Sequence, residues 1–210
     1  MPDRAVLFID GNNWYHSLSE VGVADLGRLD YAKVSQKLVG PREWVGTRYY
    51  IGQVQQKGSV RLYADQRRFL AHLKATDSRI SIHLGRLEER RVKNEAALEL
   101  RRYLSSLSVR IDVGVFHELM EIATRHAVAD VMVGKAVDVM LAVDMVMMAQ
   151  RDEFESAYLL SADGDYTPAV AAASSLGKTV YACSPAPGAQ LGRVVKSFIR
   201  LKAEWFTDCY

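Results

Sequence analysis

An α/β fold with a mostly parallel central sheet and helices on both faces is what this chain predicts, and three observations predict it. Apolar runs of strand length recur as AVLFID, AYLLS and TVYAC, with few polar breaks, as strands covered on both faces require. Segments of helical spacing stand between the strand-like ones, giving the order β-α-α-β-α-β up to residue 84. Small-residue turns then close two of the apolar runs, as FIDGNN and LLSADGD.

Residues 4–9 read as a buried first strand ending in Asp10-Gly11-Asn12-Asn13. Residues 12–20 are helical, with Asn12 or Asn13 able to cap exposed backbone N–H groups. Tyr31 to Leu38 is a short helix stopped by Gly40-Pro41, and Arg48 to Gly52 has strand composition. Asp65 to Ala75 carries Phe69, Leu70 and Leu73 at helical spacing, and Ile80 to Leu84 alternates like a strand. Leu87 to Leu107 is rich in Glu, Arg, Lys, Ala and Leu and predicts a helix. Val109 to Val115 alternates apolar and polar residues, and Phe116 to Val128 returns to helical spacing.

The stretch from about 87 to 130 is therefore expected to be an insertion or elaboration within a single domain spanning 1–210. The motif-bearing part resumes at Gly134. Residues 135–150 predict an apolar helix and Ala157 to Ser161 a buried strand. Thr167 to Leu176 is a helix ended by Gly177, Thr179 to Cys183 a strand, and Leu191 to Leu201 an amphipathic last helix.

At 210 residues the chain can bury a good core, and its 49% hydrophobic content is ordinary. A net charge of +2 advertises no global field for nucleic acid, so any basic surface must be local. The two cysteines, Cys183 and Cys209, form no CxxC or Cys/His cluster, which argues against zinc and against a disulfide framework. The apolar run of the N-terminus is too short for a signal peptide. No stretch reaches the roughly 18 consecutive apolar residues of a membrane span. The expectation is a soluble, cytoplasmic protein.

Four aspartates carry the chemistry. Asp10 ends the first strand, Asp138 sits in GKAVDVMLAVDM, and Asp163 and Asp165 close YLLSADGD. A turn is the rival reading of Asp10, and also of Asp163 with Asp165, but two strand ends of the same chemistry favour function. Asp138 is harder to explain that way, because its neighbours are Val137, Val139 and Met140 and a lone carboxylate among them is costly. Lys135, three residues earlier, offers a simple helical ion pair as the alternative. Asp144 lies six residues on, about 120° around a helix, and ranks below the other four. Carboxylates that converge repel each other unless a cation separates them, and hard oxygen ligands suit Mg²⁺ or Mn²⁺. The acids point to metal-dependent phosphoryl transfer. The five histidines show no metal spacing.

FIDGNN, KAVDVMLAVDM and LLSADGDYTPAVAAASSLGKTV, in this order, resemble the NYN domains of the LabA-like (DUF88) group within the PIN-like nuclease superfamily. The resemblance is strong over 5–16 and 134–183 and weak between about 85 and 130. It implies a three-layer PIN-like fold and a ribonuclease that hydrolyses phosphodiester bonds, with Mg²⁺ or Mn²⁺ held by Asp10, Asp138, Asp163 and Asp165. Asn12, Asn13, Lys135, Asp144 and Ser161 match supporting positions of such sequences. The alternative is a catalytically silent regulator of the same fold that binds RNA or a protein. Hydrolysis in this superfamily needs no serine, cysteine or histidine nucleophile, because bound metal lowers the pKa of the attacking water.

The implied partner is RNA, single-stranded or structured, with no membrane and with a homodimer left open. Arg193, Lys196 and Arg200 recur at helical spacing and would make one basic stripe along the last helix. Arg67, Arg68, Arg86, Arg90, Arg91, Lys93, Arg101 and Arg102 offer a second basic surface. Glu88, Glu89, Glu95 and Glu99 interleave with it, as on an ordinary solvated helix face. Trp14, Tyr15 and Tyr166 flank the acidic motifs and could stack on bases, although packing explains Trp14 equally well.

Overall fold

A computed structural model describes residues 3–54, 60–107 and 112–210, without the side chains of 87–91 and 129–135. The chain divides into two compact units, 1–86 with 134–210, and 87–133.

The first unit is built on a parallel sheet of six strands in the order β3-β2-β1-β5-β6-β7. These are β1 (Arg4–Asp10), β2 (Glu43–Gln53), β3 (Ile80–Lys93), β5 (Ser156–Leu160), β6 (Thr179–Ser184) and β7 (Ser197–Arg200), and every pairing among them is parallel. The side chains of β1 alternate between two cores. Ala5, Leu7 and Ile9 enter one with α1 (Gly11–Glu20), α2 (Tyr31–Val39) and α3 (Val60–Thr76). Val6 and Phe8 enter the other with α6 (Val137–Gln150) and α7 (Thr167–Ser175). Asp10 continues the Val6-Phe8 side, so its carboxylate leaves the sheet on the α6 face.

Strand order reverses between β1 and β5. Their carboxyl ends thus form the crevice where open α/β sheets place ligands. Gly11 is a requirement of this geometry, since a Cβ there would lie 2.6 Å from the Tyr49 ring and 2.7 Å from the Tyr50 carbonyl. Gly40 and Gly177 end α2 and precede β6 at φ of 60° and 80°, conformations that side chains other than glycine's rarely take.

In the second unit β3 runs on to Lys93 with β4 (Val128–Lys135) as its neighbour, and α4 (Glu95–Ser106) packs on α5 (Val113–Arg125). The helix expected from Leu87 begins only at Glu95, where Asn94 caps it by accepting from the Ala97 N–H. Residues 87–93 have helical composition, but sheet pairing overrides propensity. Val113 to Val115 belong to α5, while 109–111 lie outside the described residues.

The largest departure is at the end of the chain. Leu191 to Leu201 is no helix: Leu191–Arg193 is a single 3₁₀ turn and Ser197–Arg200 is the edge strand β7. Gly192 weakens a helix there, and Val194, Val195, Phe198 and Ile199 favour pairing with β6. The stripe of Arg193, Lys196 and Arg200 therefore does not exist as a helix face. Arg200 instead donates through Nε to the Pro185 carbonyl.

Candidate functional site

Asp10 sits at the exit of β1 with only 4% of its surface exposed. It, rather than Asn12 or Asn13, caps α1: one carboxylate oxygen accepts from the Asn13 N–H at 3.2 Å. The other oxygen accepts from the Tyr166 hydroxyl at 3.1 Å and from Ser161 Oγ at 3.4 Å. Ser161, wholly buried after β5, also accepts from the Asp163 N–H. Asn13 Oδ1 accepts from the Ala162 N–H at 3.1 Å, stapling the exit of β1 to that of β5. Asn12 is half-buried beside it.

The DGD motif forms a 3₁₀ turn, Gly164–Tyr166, capped by Asp163, whose carboxylate accepts from the Asp165 N–H. That turn swings Tyr166 inward, where 1% of it is exposed. Its hydroxyl lies 3.1 Å from Asp10 Oδ2 and 3.3 Å from Asp138 Oδ1. One phenol proton thus serves two carboxylates. Asp138 reaches this point from the first turn of α6.

The acids sense one another. Burial above all raises the Asp10 carboxyl above its ordinary value. The charges of Asp138 and Asp163 push the same way, while the Asn13 N–H and Tyr166 hydroxyl partly offset them. Asp138 is also raised, first by burial and then by Asp163 and Asp165, against the Tyr166 bond. Side chains up to 153 positions apart (163 − 10) thus act on one another at the carboxyl edge. Among the described residues no three His, Cys, Asp or Glu side chains already stand as a cation cage. Asp10 and Asp138 are joined through one hydroxyl, that of Tyr166. Two carboxylates completed by water are a usual donor set for Mg²⁺, so the residues fit such an ion without a closed cage.

One supporting residue, Asp144, falls elsewhere. Asp144 accepts from Arg48 Nη2 and from the Tyr50 hydroxyl, both at 2.8 Å, with His83 stacked on Tyr50. Burial would raise its carboxyl, but the Tyr50 and Arg48 bonds and the Arg48 charge outweigh burial and lower it. Asp144 is an ion-pair partner in this network, not a member of the acidic centre. Lys135 ends β4, and Ala136 turns through φ 67° before α6 begins at Val137. Lys135 and Asp138 therefore do not share a helix face, and the Lys135 side chain lies outside the described residues.

Of the three aromatics, Tyr15 is exposed, whereas Trp14 is buried against Phe206 and Tyr166 beneath the acids, so neither of these two offers a ring for base stacking. Tyr166 as a hydroxyl bridge was not legible beforehand, because spacing along a chain does not tell where a phenol points. Its place directly after Asp-Gly-Asp is the one available signal.

Residues 114–202 match the family model described as NYN domain, which supports an NYN domain in this chain. The matched span holds Asp138, Asp163 and Asp165, and Asp10 lies before it. A search of curated proteins gives no match. Among solved structures, a protein of unknown function from Vibrio parahaemolyticus is similar at 16% identity and a TM-score of 0.55, covering 95% of this chain and 93% of its own. That likeness concerns the fold. Among the described residues no helix is long and apolar enough to cross a membrane.

Proposed function

We propose that this chain is a metal-dependent ribonuclease of the LabA-like NYN group, in which Asp10 and Asp138 hold Mg²⁺ or Mn²⁺ and Asp163 and Asp165 complete the acidic field. One observation carries the reading. Asp10 and Asp138 share the Tyr166 hydroxyl at the sheet's switch point, and both carboxyls are raised, first by burial and then by nearby acids, at an energetic cost that a structural role leaves unexplained. The NYN match supports the nuclease class. Bound metal would supply a water acidic enough to attack and would offset charge on the leaving oxygen.

The chain's own residues do the rest. Asp10 is fixed by Asn13, Ser161 and Tyr166, so its carboxylate keeps one orientation. Tyr166 holds Asp138 beside it, and the Asn13 staple keeps the DGD turn in register with β1. In hydrolysis a water oxygen bonds to phosphorus, the bond from phosphorus to the leaving ribose oxygen breaks, and the water's proton finishes on that oxygen.

A silent binder of the same fold is favoured by one observation, the lack among the described residues of a ready three-ligand cage. Incubating the protein with a mixture of labelled RNA and DNA strands, with Mg²⁺, with Mn²⁺ and with chelator, separates the two readings. Metal-dependent RNA cleavage that disappears in Asp10→Asn supports the enzyme. Binding without cleavage at any metal concentration supports the regulator.

A further inference from the structure

Next to the acidic centre lies a groove of about 530 Å³, walled on one side by Gly164, Asp165 and Pro168 and on the other by Gln190, Arg193 and Val194. Its size falls within the roughly 300–1,000 Å³ of small-ligand clefts. Asp165 belongs to both the groove and the acidic centre, so a chain of linked phosphates can run from one to the other.

Two side chains in it are uncommitted. Arg193 lines the same groove as Asp165, yet among the described residues its guanidinium makes no ion pair and no hydrogen bond. The Gln190 carboxamide likewise has no hydrogen-bond partner among them, and it lies directly over the acidic turn. A Cβ at position 164 would stand 2.0 Å from Gln190 Oε1, so the glycine of Asp-Gly-Asp leaves the room this carboxamide occupies.

Both side chains rise from a rigid base. Leu191 between them is wholly buried, the Gly192 N–H donates to Gly188 at 2.8 Å, and the Lys196 N–H donates to Val180 at 2.8 Å. Gly188 is itself pressed against the Phe198 ring, which a Cβ would meet at 2.3 Å. The backbone beneath them therefore needs little ordering when a ligand arrives, and the cost falls on the two side chains.

We infer that this groove seats the nucleotide adjoining the phosphate at the acidic centre, with Arg193 on its phosphodiester and Gln190 on its base edge. The inference rests on the ribonuclease reading for its ligand class. A planar guanidinium matches a phosphodiester, and a carboxamide offers the donor and acceptor that a base edge requires. Base edges are open in single-stranded RNA, which makes that the preferred form.

The test is binding of labelled single-stranded homopolymer RNAs by fluorescence anisotropy, with Ca²⁺ in place of Mg²⁺ so that binding is read without cleavage. Arg193→Gln weakens affinity for every homopolymer about five- to twenty-fold and lowers the slope of log affinity against log salt by about 0.7. Gln190→Ala keeps that slope and narrows the differences between homopolymers. Arg151→Gln, at the opposite end of α6, removes an equal charge and leaves both readouts unchanged. An unaltered slope and affinity in Arg193→Gln, or no binding of RNA by the wild type, overturns the inference. Cleavage measured separately in Mg²⁺ tests the ribonuclease reading: a protein that binds through Arg193 but never cleaves keeps the groove and loses the enzyme.

Discussion

Replacing Tyr166 by Phe removes one oxygen and leaves the ring in its buried place between α6, α7 and the sheet. Asp10 then keeps the Asn13 N–H and Ser161 and loses the third donor, while Asp138 loses the one hydrogen bond its carboxylate makes among the described residues. A hydrogen bond to a charged group contributes about 1.5–3 kcal/mol. The 3.1 Å separation is long for a hydroxyl donor, so we expect about 1–2 kcal/mol of destabilisation. For a chain of 210 residues that corresponds to a fall in Tm of roughly 2–8 °C.

The pH dependence has a definite sign. The phenol bond favours ionised Asp10, so its loss raises an already raised carboxyl further. The destabilisation is therefore full at pH values above the folded-state pKa, where the native carboxylate is ionised. It shrinks as pH falls through the raised value, where Asp10 takes up its proton. Thermal and urea unfolding of both proteins at several pH values between 4 and 8, in chelator, measures this. A variant as stable as wild type at neutral pH, or a deficit that grows toward acid, refutes the bridge.

Asp10→Asn and Asp163→Asn should each lower metal-dependent RNA cleavage by orders of magnitude with folding close to wild type, since asparagine still caps a helix and carboxylate repulsion is relieved; full activity in either sinks the mechanism. Gly11→Ala should cost about 1–3 kcal/mol in denaturant unfolding, because the new methyl meets the Tyr49 ring and the Tyr50 carbonyl; a neutral result means the close approach is wrong. The Arg4 guanidinium holds the Glu155 carboxyl down to about 2, so this pair stabilises above about pH 4.5 and its contribution fades as pH falls toward 2. Glu155→Gln should therefore be less stable at neutral pH and lose less stability on acidification, as followed by circular dichroism. Asp144→Asn should cost about 1–2 kcal/mol and leave cleavage intact, and a selective loss of cleavage would return Asp144 to the site.

The sheet was legible because β1 and β5 are buried on both faces and β6 on most of its length, which leaves a continuous apolar run in the sequence. Where burial is partial the signal weakens. β2 begins at Glu43, five residues before the RYYIG run, because its first residues alternate between core and surface and include a glycine. β7 failed as a strand for a related reason. Ser197 and Arg200 are exposed and Phe198 and Ile199 half-buried at a sheet edge, and four cationic or polar positions among apolar ones over 193–200 mimic a helical stripe over so short a span.

Helical periodicity also misplaced Lys135, and for one cause. Counting turns from Lys135 assumes that the helix includes it, but the left-handed step at Ala136 separates β4 from α6. The same count from Asp138 to Asp144 is sound, since both lie in α6, and six residues carry the second carboxylate about 9 Å along the axis. There the partner is β2, through Arg48 and Tyr50, rather than the exits of β1 and β5. One apolar helix thus delivers two aspartates to two different surroundings: Asp138, raised first by burial and then by neighbouring acids, and Asp144, lowered by the Tyr50 hydroxyl and the Arg48 guanidinium. Opposite shifts on like residues of one helix separate the acid placed against its own kind from the acid that holds the helix to the sheet. The sequence neighbours of both are valines and methionines, so this difference resides in the tertiary partners alone.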